Sequence, residues 1–198
     1  MATELVFIRH GITDWNKEMR YCGHKDVSLS SEGRKQAVRL RKRFKTVRFD
    51  RIYSSDRKRA LQTCRIVFGK AKITRVKGLR EINFGVFEGL QHKEIMKKYG
   101  GIYKKWLLDP FKNRIPEAEP MTAFKKRVRS SIKKIISLNP GKNVAVVCHG
   151  GAIGVFIGTI LENRNFLGHV PAAASITIVE YKEGVLKLKR FNDIKHLR

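Results

Sequence analysis

Val144-Ala145-Val146-Val147 contains no polar side chain. So short and unbroken an apolar run is the kind a parallel sheet buries on both faces. It runs directly into Cys148-His149-Gly150-Gly151, and a helix follows over about residues 152–161. A strand buried on both faces must be covered by helices on both sides, and the rest of the chain can supply them. A strand over residues 3–8 opens the sequence. A helix capped by Ser30 or Ser31 follows, with Ala37, Leu40, Phe44 and Val47 at helical spacing. Residues 51–54 read as a short strand and 57–68 as a helix closed by Gly69. Residues 72–76 are a third strand, and 122–136 a helix with Phe124, Val128, Ile132 and Ile135 on one side. Residues 176–181 and 185–191 flank Lys182-Glu183-Gly184 as a closing hairpin. The sum predicts an α/β fold: a three-layer α/β/α sandwich with a mainly parallel sheet, as one domain over residues 1–198. Residues 91–121, rich in Lys, Tyr and Trp with prolines at 110, 116 and 120, read as an irregular lid or substrate-pocket segment.

Two strands end alike. Leu5-Val6-Phe7-Ile8 passes into Arg9-His10-Gly11, and Val144–Val147 passes into His149-Gly150. In open α/β sheets, ligands bind at the carboxyl ends of strands, where both histidines fall. The glycines let backbone approach a ligand closely. A third strand end, Tyr53-Ser54-Ser55-Asp56, leads into Arg57 and Arg59 in the first turn of a helix. Arginine there opposes the helix dipole and suggests a nearby anion or a generally basic surface, and spacing does not separate Arg59 from Arg57.

The chain carries 43 Lys+Arg against 17 Asp+Glu, a formal net charge of +26 over 198 residues. Such a field attracts anions of many kinds. The basic residues are dispersed rather than aligned with aromatics, and no nucleic-acid motif is present, which argues against a nucleic-acid-binding module. No apolar run approaches the roughly 20 residues a membrane span needs, and the N-terminal residues lack the pattern of a secretory signal. Three widely spaced cysteines, Cys22, Cys64 and Cys148, favour free thiols in a reducing cytoplasm. No metal-ligand spacing and no acidic cluster for magnesium is evident. The expectation is a cytoplasmic protein with no cofactor and no metal, and a homodimer is left open.

Arg9-His10-Gly11 resembles the signature of the histidine phosphatase superfamily, with the phosphoglycerate-mutase-like fold. Thr13-Asp14-Trp15-Asn16 is similar to the continuation of that motif. Gly23-His24-Lys25-Asp26 with Leu29, Gly33, Gln36 and Ala37 is similar to the next block. Residues 55–63 resemble the second-arginine motif, whose register selects Arg59. Residues 79–89 resemble the acid-base motif, which selects Glu81. His149-Gly150 carries the second histidine, and Asn192-Asp193-Ile194-Lys195-His196-Leu197 also resembles many members. Ile12, Cys22 and the residues flanking Glu119 depart from the usual pattern at substrate-contact positions.

The resemblance implies a metal-independent phosphomonoester hydrolase acting on a small phosphorylated metabolite. His10 is then the nucleophile that becomes a phosphohistidine. Arg9 and Arg59 grip the phosphoryl oxygens, His149 donates to one of them, and Glu81 is the general acid and later base. Gly11, Asn16, Cys22, Gly23 and Gly150 would contact substrate. Without the resemblance Glu81 reads first as a surface glutamate paired with a lysine, and a loop cap is the lesser reading of Asn16. Phe84, Phe87, Tyr103 and Trp106 fit a pocket wall or a core. The interval from Glu81 to His149, about 68 residues, resembles the shorter phosphatase branch rather than the mutases with their longer insertion. Phosphoglycerate-mutase-type transfer is the alternative.

Overall fold

A computed structural model describes residues 1–163 and 165–198. Its sheet has six strands: β1 (Thr3–Arg9), β2 (Arg51–Ser54), β3 (Ile73–Arg75), β4 (Asn143–Cys148), β5 (Ile176–Lys182) and β6 (Val185–Asp193). Their order is β3-β2-β4-β1-β5-β6. The first four in that order run parallel, and β5 pairs antiparallel with both β1 and β6. The sheet is thus mainly parallel with an antiparallel hairpin at one edge.

Period-2 side-chain alternation divides the central strands between two cores. Val6, Ile8, Ala145 and Val147 point to one face. After the single-turn helix α1 (Asp14–Lys17), α2 (Ser31–Arg43) and α3 (Lys58–Phe68) cover this face, with Ala37 and Leu40 of α2 and Ala60, Cys64 and Val67 of α3 packed on the strands. Leu5, Phe7, Val144 and Val146 point to the other face. They meet Phe124, Val128 and Ile132 of α5 (Met121–Ser137) and Ile153 and Phe156 of α6 (Gly150–Ile160). The four residues of Val144–Val147 are all fully buried, as a strand covered on both faces requires. Ser30 is the N-cap of α2, its hydroxyl accepting from the Gly33 amide at 3.1 Å. Arg39, Arg41 and Lys42 lie on the solvent side of α2.

The structure corrects one reading. Residues 91–121 are not irregular throughout, because α4 spans His92–Leu108. The helix is broken in its regularity at Tyr99 (φ −138°, ψ 26°), next to Gly100 and Gly101, which supply no side chains to hold helical geometry. Ile95, Tyr103 and Trp106 on α4 form a third core with Phe87 and Ile115. Between α4 and α5, the stretch from 109 to 120, which holds the three prolines, lies outside helix and strand. Among the described residues no helix is long and apolar enough to cross a membrane, and the three cysteines are unpaired thiols.

Candidate active site

β2, β4 and β1 lie side by side and end together. Arg9 is in register with Cys148, and Ser54 with Val147. Ser55, His149 and His10 therefore emerge at neighbouring points on one edge of the sheet. The His10 amide donates to the Cys148 carbonyl at 3.0 Å, and the Ser55 amide to the Val147 carbonyl at 2.9 Å. The rings of His10 and His149 meet edge-on, with centroids 5.1 Å apart.

His10 is buried, and its Nδ1 lies 2.7 Å from the Gly11 carbonyl oxygen. A carbonyl can only accept, so Nδ1 carries the proton and Nε2 keeps its lone pair. Burial pushes the imidazole well below its ordinary value, and Arg59 and Arg9 push it further. A neutral imidazole with a free Nε2 is the form that can attack phosphorus. Arg59 Nε–H points at that Nε2 from 3.2 Å, so any group that takes up this lone pair must displace the contact.

Arg59 is fully buried. Its Nη1 donates to the Lys25 carbonyl at 3.0 Å and its Nη2 to the Gly23 carbonyl at 2.8 Å. Arg9 uses Nη1 on the Pro171 carbonyl, while its buried Nε has no partner. His149 Nδ1 is likewise buried and unpartnered. An unsatisfied buried polar group costs about 1–3 kcal/mol, and two such nitrogens beside His10 are open to an anion that would satisfy them. Glu81 is also buried, and its oxygens accept from the amides of Ile82 at 3.0 Å and Gly151 at 2.8 Å. Burial raises the carboxyl above its ordinary value, while those two amides and the nearby arginines oppose the rise. A Cβ at Gly151 would sit 2.2 Å from Glu81 Oε1, so the carboxylate's position needs glycine there.

The stretch from residue 5 to residue 194 matches the family model described as the histidine phosphatase superfamily, branch 1. The chain belongs to the histidine phosphatase superfamily. It is 31% identical over 188 residues to the probable phosphoglycerate mutase GpmB of Salmonella arizonae, covering 91% of this chain and 86% of that one. Among solved structures, Bacillus stearothermophilus YhfR superposes with a TM-score of 0.94 at 29% identity, over 99% of this chain and 100% of that one. The phosphoserine phosphatase of Entamoeba histolytica in complex with 3-phosphoglyceric acid superposes with a TM-score of 0.88, also at 29% identity and over 99% and 100%. These are histidine phosphatase folds, three layers with the helices outside.

Within this histidine phosphatase the other sequence candidates fall into distinct places. Gly11 offers no free amide, because its N–H donates to Thr63 Oγ1 at 3.1 Å. Gly23 is fixed by packing, since a Cβ there would sit 2.1 Å from the Ile82 carbonyl oxygen. Gly150 opens α6 against the Arg9 guanidinium, 3.1 Å from the position of an added Cβ. Asn16 serves as a cap, with Oδ1 accepting from the Thr13 amide and hydroxyl at 3.0 Å each. It also lines the cavity in front of His10, as do Cys22, Phe84 and Trp106. Phe87 and Tyr103 belong to the third core. Glu88 is a staple, its oxygens taking the amides of His24 at 2.6 Å and Lys25 at 2.7 Å. Among the described residues no three His, Cys, Asp or Glu side chains are grouped as a metal ion would need.

Sequence reasoning misses two polar residues. Arg127 on α5 donates to the carbonyls of Gly78, Arg80 and Glu81 and is held by both oxygens of Glu119 at 2.6 and 2.7 Å. It fixes the backbone that carries Glu81. Ser55 Oγ lies 2.8 Å from His149 Nε2 and accepts from the Arg57 amide at 3.4 Å. With its acceptor side so engaged, the hydroxyl can donate to Nε2, which leaves the proton of neutral His149 on Nδ1, facing no partner. Ser55→Ala is expected to lower kcat about tenfold with little change in KM. Nitrogen-15 spectra of the histidines should show His149 losing its single Nδ1–H tautomer. An unchanged tautomer in that variant would remove Ser55 from this role.

The buried histidines also set a stability profile. His10 and His149 both have folded pKa values well below ordinary, first because they are buried and then because Arg59 stands beside them. Below about pH 6.5 the unfolded chain takes up protons that the folded chain refuses. Stability is therefore full above that pH and falls as pH drops through it, by up to about 2.7 kcal/mol per pH unit for two such groups. Thermal unfolding from pH 7.5 to 5, in buffer free of phosphate, should show a Tm decline that His149→Asn reduces. An equal decline in wild type and variant would mean these rings do not govern acid stability.

Proposed function

We propose that this chain hydrolyses phosphomonoesters of small metabolites through a phosphohistidine at His10, without a metal. The observation that carries the reading is the placement of His10, with Nδ1 2.7 Å from the Gly11 carbonyl and Nε2 facing Arg59. Nε2 attacks phosphorus, and the bond from phosphorus to the ester oxygen breaks with its electron pair on that oxygen. Glu81 passes its carboxyl proton to the departing alkoxide. Water then attacks the phosphohistidine, the Glu81 carboxylate takes a proton from that water, and inorganic phosphate and neutral His10 are restored. Arg9 and Arg59 offset the charge on the phosphoryl oxygens in both steps, and His149 Nδ1–H and the amide of Gly150, which opens α6, add donors.

Curated relatives are named as probable phosphoglycerate mutases, so transfer is the second reading. A mutase must keep water from its phosphoenzyme. Here the cavity before His10 has a rim of exposed residues, Met19, Leu167 and Val170, which favours hydrolysis. The deciding measurement follows free phosphate from butyl phosphate, and both free phosphate and 2-phosphoglycerate from 3-phosphoglycerate with and without 2,3-bisphosphoglycerate. Phosphate release without isomer supports the hydrolase. Rapid isomer formation with negligible phosphate would replace it by the mutase. A cytoplasmic location accords with the three free thiols and is part of the same proposal.

A further inference from the structure

The cavity in front of His10 has a volume of about 290 Å³, at the small end of small-molecule sites. Beyond the phosphoryl end, carbon surface dominates its wall. Tyr21, Phe84 and Trp106 stand edge-on to one another, with centroids 5.0 to 6.1 Å apart. The polar tip of Tyr21 is spent on the Tyr103 hydroxyl at 2.8 Å, and Tyr103 also meets His92 Nδ1 at 3.0 Å. Phe166, nearly buried, closes another side.

The rim continues this character outward. Met19, Leu167 and Val170 line the mouth and are 78%, 44% and 36% exposed. On a surface as rich in lysine and arginine as this one, three large apolar residues around one opening mark a binding site rather than a solvated face. Met19 is held there at φ 54°, a conformation that costs free energy for a side chain of its kind. Among the described residues that line the cavity, the cation at its mouth is Arg20, and it is already paired. Its Nε meets Glu18 at 2.6 Å, and its Nη1 meets the Gly89 carbonyl at 2.6 Å and Glu94 at 3.2 Å.

From the aromatic wall and the apolar rim we infer that the preferred substrate is a phosphomonoester of an uncharged, largely apolar alcohol. The inference rests on the hydrolase reading and adds the leaving group to it. The aromatic wall takes the carbon chain next to the ester oxygen, and the rim takes what extends beyond it. Among the described residues of this mouth, a carboxylated alcohol would place its charge against carbon or against an arginine whose charge two glutamates already balance.

Ethyl, butyl and hexyl phosphate test this cleanly, because their alcohols are of nearly equal basicity and differ only in apolar surface. Each methylene taken fully from water should raise kcat/KM about fourfold, so butyl phosphate should exceed ethyl phosphate by about tenfold or more. Phosphoserine, of similar size but charged, should fall below butyl phosphate. Met19→Asn keeps a residue that tolerates positive φ while removing the apolar chain, and Leu167→Ser does the same chemistry on the opposite rim. Either change should lower the ratio of hexyl to ethyl phosphate. A flat or falling chain-length series, or phosphoserine preferred over butyl phosphate, would overturn the substrate class while leaving the hydrolase in place. Absence of phosphate release from every ester would instead remove the hydrolase reading, and this inference with it.

Discussion

His10→Ala will reduce phosphate release from every monoester to background, a loss on the order of 10⁴-fold or more for an enzyme deprived of its nucleophile. The size follows from how little else in the cavity can attack phosphorus. His149 has its Nε2 at Ser55. Burial raises the thiol of Cys22 to about 11, so at neutral pH it holds its proton and is a poor nucleophile. The arginines only donate. Removing the imidazole leaves Arg9, Arg59 and the α6 amides to bind an ester that nothing cleaves, so phosphate should still compete for the site. Brief reaction of the wild type with a labelled ester followed by quenching should trap label that is lost in acid and kept in alkali, as a phosphohistidine requires. His10→Ala should trap none. Chelators should not change the wild-type rate, because arginine and histidine supply the positive charge in the proposed steps. Substantial turnover by the variant would end the covalent mechanism, whereas a rate abolished by chelation would end its metal independence.

The parts legible in sequence are those written in short-range pattern. An apolar run ending in His-Gly fixes a strand, its edge and a candidate side chain together, and Val144–Val147 and Leu5–Ile8 do so without any knowledge of pairing. What the pattern cannot contain is the register of β1 on β4, which sets His10 beside His149. Ser55 is visible as the end of β2, yet its partner lies 94 residues away, and serine at a strand end has many ordinary uses. Arg127 is hidden in a helix most of whose other cations face solvent; only the turn at Lys77–Leu79 and the Glu119 carboxylate distinguish it. Gly11 and Gly23 carry a sequence signal that close packing alone can account for. They are required where backbone passes close to the Gly33 and Ile82 carbonyls, and close packing leaves the same mark in sequence as close approach to a ligand. In α4 the spacing of Ile95, Tyr103 and Trp106 is helical, but the Gly100-Gly101 pair and the lysines around it conceal the repeat.

Glu81→Gln separates leaving-group chemistry from phosphate binding. The carboxyl is buried and raised above its ordinary value by that burial, so it keeps its proton to a higher pH than an exposed glutamate does. Its proposed task is to give that proton to the departing oxygen, and the benefit depends on how basic the oxygen is. An alkoxide from butyl phosphate leaves badly without a proton, so the variant should lose roughly 10²–10⁴-fold on that substrate, the usual scale of general acid catalysis. A nitrophenolate is a weak base and leaves unaided, so the loss on p-nitrophenyl phosphate should be far smaller. The introduced amide nearly matches the carboxylate in shape, yet its NH₂ cannot accept from the Gly151 or Ile82 amide, so the comparison must rest on the ratio between substrates rather than on either rate alone. Arg59→Ala provides the contrast. It removes a charge that acts on phosphoryl oxygens common to all substrates and also frees the Gly23 and Lys25 carbonyls, so both esters should suffer alike. The pH profile gives a second reading: the rate on butyl phosphate should fall as pH rises through the raised Glu81 pKa, and that limb should vanish in Glu81→Gln. A burst of nitrophenolate would show dephosphorylation to be limiting, in which case the comparison moves to the burst rate itself. If phosphoryl transfer limits and the variant slows both esters equally, Glu81 is not the leaving-group acid. Glu88 could not then take its place without giving up the His24 and Lys25 amides it holds, and solvent would be left as the proton donor.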